Sequence, residues 1–296
     1  MAVFPILKLP LLATEEVLNQ LRFRDIYSLS MCSKKSAKMI HLVHTKKYTL
    51  IMSPNSMIQV EDSNNSKEFG DPTKNFAKVK KTLSHLLTTF KFEKKSFSCG
   101  NFFSGEENQE MAKMIIETQG NEFENYVFGW DNGNTINQWI LENIKVINTL
   151  MTHPPFSKNQ GFIFKSCPKV LRSLSSSWIT LDTLISLGAC EAIVLFRNPQ
   201  LTVKNINEFM EMWKKDKFPN LEYLYLEDMK WKDNEMILGF TREQLSMGRK
   251  DWREKKINSA IYHCYGGADI QSDDGVNGTL YFDAYSESVS FFVWKD

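Results

Sequence analysis

Asn205 to Leu226 reads NINEFMEMWKKDKFPNLEYLYL, and the change of period inside this stretch decides the fold. Ile206, Phe209, Met210 and Trp213 recur three and four residues apart, which gathers them on one face of a helix. Pro219 and Asn220 interrupt that pattern, and L-x-x-L-x-L follows over Leu221, Leu224 and Leu226. Alternate residues of a strand point to opposite faces, so inward leucines put Tyr223 and Tyr225 on the outward side. Tyrosine offers much contact area at little entropic cost. Glu222, Tyr223 and Tyr225 are therefore candidate contacts for a binding partner, the alternative being that a flanking loop or the terminal sheet covers them.

The helix-then-strand unit recurs. Cys190, Ile193 and Leu195 fit the same template, and Phe123, Tyr126 and Phe128 fit it loosely. From Leu195 to Leu226 is 31 residues (195 to 226), just above the roughly 20–29 of a leucine-rich repeat. Such units stack side by side so that their strand residues share one core. The region thus reads as an irregular, leucine-rich-repeat-like α/β stack.

Helices are predicted at about 78–90, 106–119 and 135–151, and around Leu181, Leu184 and Leu187. Gly120 stops the second of these, and the third is drawn from Ile136, Ile140, Ile144 and Ile147. Extended pieces are expected at 48–52, 57–60, 123–128 and 162–164, and the polar stretch 61–73, with Gly70 and Pro72, reads as a loop. Past Asn234, residues 257–265, 278–285 and 288–294 read as antiparallel strands that close the open end of the stack. Asp274-Gly275 and Asn277-Gly278 are the predicted turns.

Residues 4–47 read FPILKLPLLATEEVLNQLRFRDIYSLSMCSKKSAKMIHLVHTKK, a size at which a single core is rarely sufficient. Leu9-Pro10 ends an extended entry, because the residue before proline is pushed out of the α region. Thr14, Asp25 and Ser33 are candidate N-caps of three short helices. Their apolar positions are Val17, Leu18 and Leu21, then Ile26 and Leu29, then Ala37, Ile40 and Val43. Helices this brief are marginal alone in water, so the apolar flank must lie against a neighbour.

The chain of 296 residues, 42% hydrophobic and 12% aromatic, can build a substantial core, which excludes global disorder. Its 36 basic and 35 acidic residues leave a net charge of +1. That balance gives no reason to expect a nucleic acid or an anionic membrane as partner. Cys32, Cys99, Cys167, Cys190 and Cys264 are scattered, odd in number and form no CxxC pair, the usage of reduced thiols in the cytoplasm or nucleus. Pro5, Lys8 and Pro10 interrupt the apolar N-terminus, so it does not read as a secretion signal, and no apolar run is long enough for a bilayer.

Motifs that carry catalysis are missing: the chain has no G-x-S-x-G, Walker loop, GxGxxG or H-E-x-x-H. His41 and His44 are three apart on a predicted helix, yet no further metal ligand is near in sequence. Ser175-Ser176-Ser177, Glu106-Glu107 and Asp273-Asp274 read as surface loops and turns. No catalytic residue, metal or cofactor is expected.

The N-terminal order of features resembles the F-box, the adaptor-docking motif of cullin-based ubiquitin ligases. Leu9-Pro10, Val17-Leu18, Leu21, Ile26, Leu29 and the Ser30-Met31-Cys32-Ser33-Lys34-Lys35 run carry the resemblance. The lead from Phe4 to Leu12 looks most like the nematode-expanded group. Many F-boxes have an acidic residue directly after Leu-Pro; Leu11 and Leu12 stand there, leaving the surface more apolar. Downstream, LTVKNINEFMEMW at 201–213, Phe218 to Leu224, and Gly266-Gly267-Ala268-Asp269-Ile270 resemble the F-box-associated domain.

The resemblance implies an α+β protein: a small three-helix F-box at 1–47, connecting strands, loop and helix at 48–100, and an F-box-associated, leucine-rich-repeat-like stack at 101–296 closed by antiparallel strands. It also implies a substrate receptor of a Skp-cullin-F-box ubiquitin ligase that is not itself an enzyme. Leu7, Leu9, Pro10, Leu12, Val17, Leu18, Leu21, Ile26, Leu29 and Cys32 would meet a Skp-type adaptor and, through it, cullin. The stack would hold a target protein. The alternative is a non-catalytic repeat-fold scaffold whose F-box-like segment packs only on its own domain.

Overall fold

The computed structural model describes residues 8–43, 48–55, 57–61, 66–69, 75–99, 103–129, 134–153, 162–197, 199–257 and 260–295. By internal contacts the chain falls into two units, residues 1–144 and 145–296. The α+β class holds in both.

The first unit opens with helices α1 (Leu11–Gln20), α2 (Phe23–Cys32) and α3 (Lys34–Val43), followed by β1 (Tyr48–Met52), β2 (Ile58–Glu61) and β3 (Ser66–Phe69). Then come α4 (Phe76–Thr89), β4 (Phe92–Ser98), α5 (Gly105–Gln119), β5 (Glu122–Val127) and α6 (Asn134–Asn143). Its strands lie in the order β3-β2-β1-β4-β5. β1, β2 and β3 pair antiparallel, while β4 runs parallel to both β1 and β5.

Two local devices set α5. Ser104 accepts from the Glu107 amide and Glu107 accepts from the Ser104 amide, a reciprocal cap. At the other end Gly120 takes φ +80°, and the buried Lys95 of β4 donates its ammonium protons to the carbonyls of Gln119 and Gly120. A cation there meets the negative end of the helix. The Gln119 side chain donates to the carbonyls of Leu87 and Phe90 and accepts from the Phe92 amide, tying the end of α4 to the start of β4.

The second unit contains β6 (Lys145–Thr152), β7 (Val170–Ser173), α7 (Leu181–Ser186), β8 (Ala192–Leu195), α8 (Val203–Lys214) and β9 (Tyr223–Leu226). It ends with α9 (Arg242–Leu245), β10 (Gly248–Ile257), β11 (Ala260–Gly266), β12 (Ala268–Gln271), β13 (Asn277–Asp283) and β14 (Ser288–Trp294). β6 to β9 are parallel; β14, β13 and β12 continue the sheet antiparallel and close it.

Repetition is written in the backbone. The Lys169 carbonyl accepts from the amides of Glu191 and Ala192, and the Glu191 carbonyl accepts from Glu222 and Tyr223 in the same way. Leu150, Leu171, Ile193, Leu224 and Phe291 consequently align across five strands, all buried. α8 packs on this face, with Trp213 edge-on to Phe291 at 4.7 Å. The other face carries Thr149, Val170, Ala192, Tyr223 and Phe292.

Several expected elements differ. The helix predicted over 135–151 ends at Asn143, and residues 145–152 form β6, because Val146, Leu150 and Thr152 are buried and residues 149–152 pair with β7, a ladder that a helix would forfeit. Residues 162–164 form no strand; Phe162 and Phe164 meet edge to face at 5.0 Å, and the Phe164 amide donates to Ser186 Oγ. Asn277-Gly278 is not a turn but the start of β13, where the Phe291 ring lies over Gly278 and leaves no room for a Cβ. The segment 257–265 is two strands rather than one, Ile257 ending β10 and Ala260 opening β11. β3 lies within the expected loop of 61–73, and β4 and β7 had no sequence assignment.

Candidate functional site

Two surfaces could serve a binding protein. The first is the helical N-terminus. Of the three expected caps, Ser33 fulfils its role, exchanging bonds with Ser36: each backbone amide donates to the other's hydroxyl. α1 instead starts at Leu11 after Pro10, and Thr14 is already inside the helix, its hydroxyl donating to the Pro10 carbonyl. α2 starts two residues before Asp25, whose carboxylate holds the Arg22 guanidinium at 3.0 Å.

These helices are anchored in their own unit. Phe23 packs edge-on to Tyr48 at 4.7 Å and tilted against Phe90 at 4.8 Å, and Ser30 shares a 2.7 Å hydrogen bond with His85 of α4. Burial lowers the pKa of that imidazole, and Tyr27 packs edge-on to it.

The expected adaptor residues therefore divide. Leu18 and Ile26, expected on the docking face, are instead fully buried in the unit, as helices too short to be stable alone require of some of their apolar positions. Leu9, Val17, Leu21 and Leu29 are half-buried. Pro10, Leu12 and Cys32 are exposed, and Leu7 lies outside the described residues. Leu11, Met31 and Leu42, which were not among the expected contacts, are exposed too, and Leu12 is 77% exposed.

The second surface is on the repeat unit. Tyr223 was expected outward, and its side chain does leave the leucine face, but it is buried. The β10–β11 hairpin lies over that face, with Tyr262 4.1 Å and Phe292 4.9 Å from the Tyr223 ring, and burial raises the Tyr223 phenol pKa. Ile257 and Cys264 join Val170, Ala192, Val194 and Tyr223 in one cluster. Tyr225 is half-buried beside Phe196, and Glu222 pairs with Lys255 at 3.1 Å. The hairpin, an amphipathic ribbon, has taken the place expected for the target because the tyrosine face is too apolar to stay wet.

What the hairpin turns outward was missed from sequence. Trp252, Ile261 and Tyr265 are each more than half exposed, and His263 is exposed between them. Its imidazole lies 5.5 Å from the Trp252 ring and 5.9 Å from Tyr265. The signal was there: Ile261, His263 and Tyr265 share one parity, and Trp252 interrupts the charged run RKDWREKK at 249–256.

Among the described residues no three His, Cys, Asp or Glu side chains converge on a metal position, and no helix is long and apolar enough to cross a membrane. No curated protein and no solved structure matches the chain. Nor is an F-box detected at the N-terminus by similarity to known families. Residues 162–226, which span β7 to β9 with α7 and α8, match the family described as F-box associated, and this part of the repeat unit is similar to that family.

Proposed function

We propose that this protein is the substrate-recognition subunit of a Skp-cullin-F-box ubiquitin ligase. In this reading the N-terminal helices dock a Skp-type adaptor and, through it, cullin, while the repeat unit holds the target protein. The observation that carries it is the F-box-associated match over 162–226. Exposed Leu11, Leu12, Met31 and Leu42 add support, since large apolar side chains left on three short helices suit a helix-in-groove interface. The protein performs no chemistry in this scheme. It raises the effective concentration of target beside a ubiquitin-charged enzyme, in the cytoplasm or the nucleus.

The contacts proposed for the adaptor are Pro10, Leu11, Leu12, Met31, Cys32 and Leu42, with half-buried Leu9, Val17, Leu21 and Leu29 at their margin. Co-expression of the full chain with a Skp-type adaptor and cullin tests this. A ternary complex should co-purify, and Leu11→Asp with Leu12→Asp should remove adaptor and cullin together. Failure of the wild-type chain to retain the adaptor would overturn the ligase reading.

A second reading has its own support. Phe23, Ile26 and Ser30 fix α2 within the first unit, as a non-catalytic interaction scaffold with no adaptor would require. That scaffold would be monodisperse alone and indifferent to the Leu11→Asp and Leu12→Asp changes.

A further inference from the structure

The repeat brings together two cysteines that the sequence leaves 23 residues apart (167 to 190). Cys167 lies in the segment entering β7 and Cys190 in the segment entering β8, and these parallel strands pair from Val170 with Ala192 onward. The Lys169 carbonyl already takes the amides of Glu191 and Ala192, so the residues just before each strand lie side by side. Cys190 Sγ donates to the Pro168 carbonyl at 2.9 Å, and Cys167 Sγ reaches the Ser186 carbonyl, the end of α7, at 3.0 Å. The two thiols are also hydrogen-bonded to each other. Both are free in the structure; Cys190 has no exposed surface, and Cys167 is half-buried. The other cysteines stand elsewhere: Cys32 is exposed on α2, Cys99 lies beside Tyr126, and Cys264 sits in the cluster under the β10–β11 hairpin.

The pair is chemically asymmetric. The Cys190 S–H has two acceptors, the Pro168 carbonyl and the Cys167 sulfur, and the Ala189 backbone amide donates to Cys167 as well. Donors favour the thiolate, and the bond from Cys190, outweighing partial burial, pulls the Cys167 pKa down to about 6. The same bond and burial push the Cys190 thiol up. The Ser186 carbonyl, an acceptor, acts on Cys167 in the opposite sense. The thiolate is the nucleophile in cysteine chemistry, and an accessible low-pKa cysteine beside a second thiol is the arrangement that reacts reversibly with peroxide.

We propose that Cys167 and Cys190 form a reversible peroxide-sensing pair, in which hydrogen peroxide oxidises Cys167 and Cys190 then closes an intramolecular disulfide. The Cys167 sulfur attacks one peroxide oxygen, the O–O bond breaks, and hydroxide leaves and takes up a proton as water. Cys167 is then a sulfenic acid. The Cys190 sulfur attacks the sulfenic sulfur, the S–O bond breaks, and the Cys190 proton departs with the leaving hydroxide as a second water. Two electrons pass from the dithiol to the peroxide, and a reducing dithiol reverses the change by exchange. The cross-link would close the chain around β7 and α7, inside the segment 162–226, and should raise the melting temperature of the second unit by restricting its unfolded state. In a reducing compartment it would be transient. The pairing does not rest on the ligase reading.

The test uses the full chain, purified reduced, freed of reductant and treated with one equivalent of hydrogen peroxide at neutral pH. Remaining thiols are blocked with N-ethylmaleimide, and the unreduced digest is mapped by mass spectrometry. A peptide linking Cys167 to Cys190, lighter by two hydrogens and split by dithiothreitol, is expected, with Cys32 oxidised about tenfold less than Cys167. In Cys190→Ala, Cys167 should stop at the sulfenic acid and be captured by dimedone. In Cys167→Ser, Cys190 should stay reduced. Cys190 is fully buried, so if Cys190→Ala does not fold by circular dichroism, the wild-type map read beside Cys167→Ser decides. No linked peptide, a link from either cysteine to a different one, a disulfide-bonded dimer through Cys167, or Cys32 oxidised as readily as Cys167 would overturn the proposal.

Discussion

Leu18 and Leu12 sit six residues apart on α1 and should behave oppositely. Leu18 has no exposed surface and Leu12 is 77% exposed. Truncating a fully buried leucine to alanine removes its transfer free energy and leaves a cavity, together about 3 kcal/mol. An exposed leucine away from special features changes stability by within about 0.5 kcal/mol. At about 1.4 kcal/mol per decade, Leu18→Ala should therefore speed amide exchange in α1 to α3 by about a hundredfold, while Leu12→Ala leaves it nearly unchanged. Adaptor affinity should reverse the order once the folded fraction is allowed for: Leu12→Ala should weaken it by about tenfold as a contact residue. Hydrogen exchange by mass spectrometry and titration of purified adaptor read the two effects separately. Comparable exchange in both variants would refute the division of the helices into core and docking positions.

Other outcomes follow from single contacts. The folded pKa of His85 is lowered by burial, so the unfolded chain binds its proton first as the pH falls below about 6.5. Stability contributed by neutral His85 is present above that pH and is lost as the pH falls; His85→Gln should flatten part of the melting-temperature decline between pH 7.5 and 5.5, and an unchanged slope would count against it. Lys95→Met leaves the Gln119 and Gly120 carbonyls without their buried donor and should cost the first unit about 1–3 kcal/mol in urea unfolding; a neutral result would mean that water reaches the end of α5. Gly267 has φ +99°, and a Cβ there would collide with the Leu280 carbonyl, so Gly267→Ala should lower the second unit's stability by at least about 2 kcal/mol. A melting temperature equal to wild type would deny that β12 depends on this turn.

The repeat was legible where one period was clean. Ile206, Phe209, Met210 and Trp213 are all buried on α8, and Leu224 and Leu226 line the core as their alternation requires. Legibility failed where two periods overlapped. Ile140, Ile144 and Ile147 fit a helix, yet residues 145–152 form β6 and its end, 149–152, pairs with β7, a long-range choice that local spacing does not contain. β4 was hidden by Lys94 and Lys95; a buried lysine makes sense only once the end of α5 is brought to it. The tyrosine parity was readable, and a cover was one of its two readings, but not which segment supplies it: the strand pattern places Tyr223 on the second face, and only the fold sets Tyr262 above it. On α1 and α2, spacing identifies apolar positions without saying which neighbour takes them, so Leu18 and Leu12 look alike until packing separates them.

The most direct test of the receptor account is a hydrogen-exchange footprint of the full chain with and without a purified Skp-type adaptor. The account predicts slowed exchange at the start of α1 and the ends of α2 and α3, where Leu11, Leu12, Met31 and Leu42 are exposed, with the β10–β11 hairpin unchanged. An adaptor that leaves those helices unprotected, or that protects only the second unit, would contradict it.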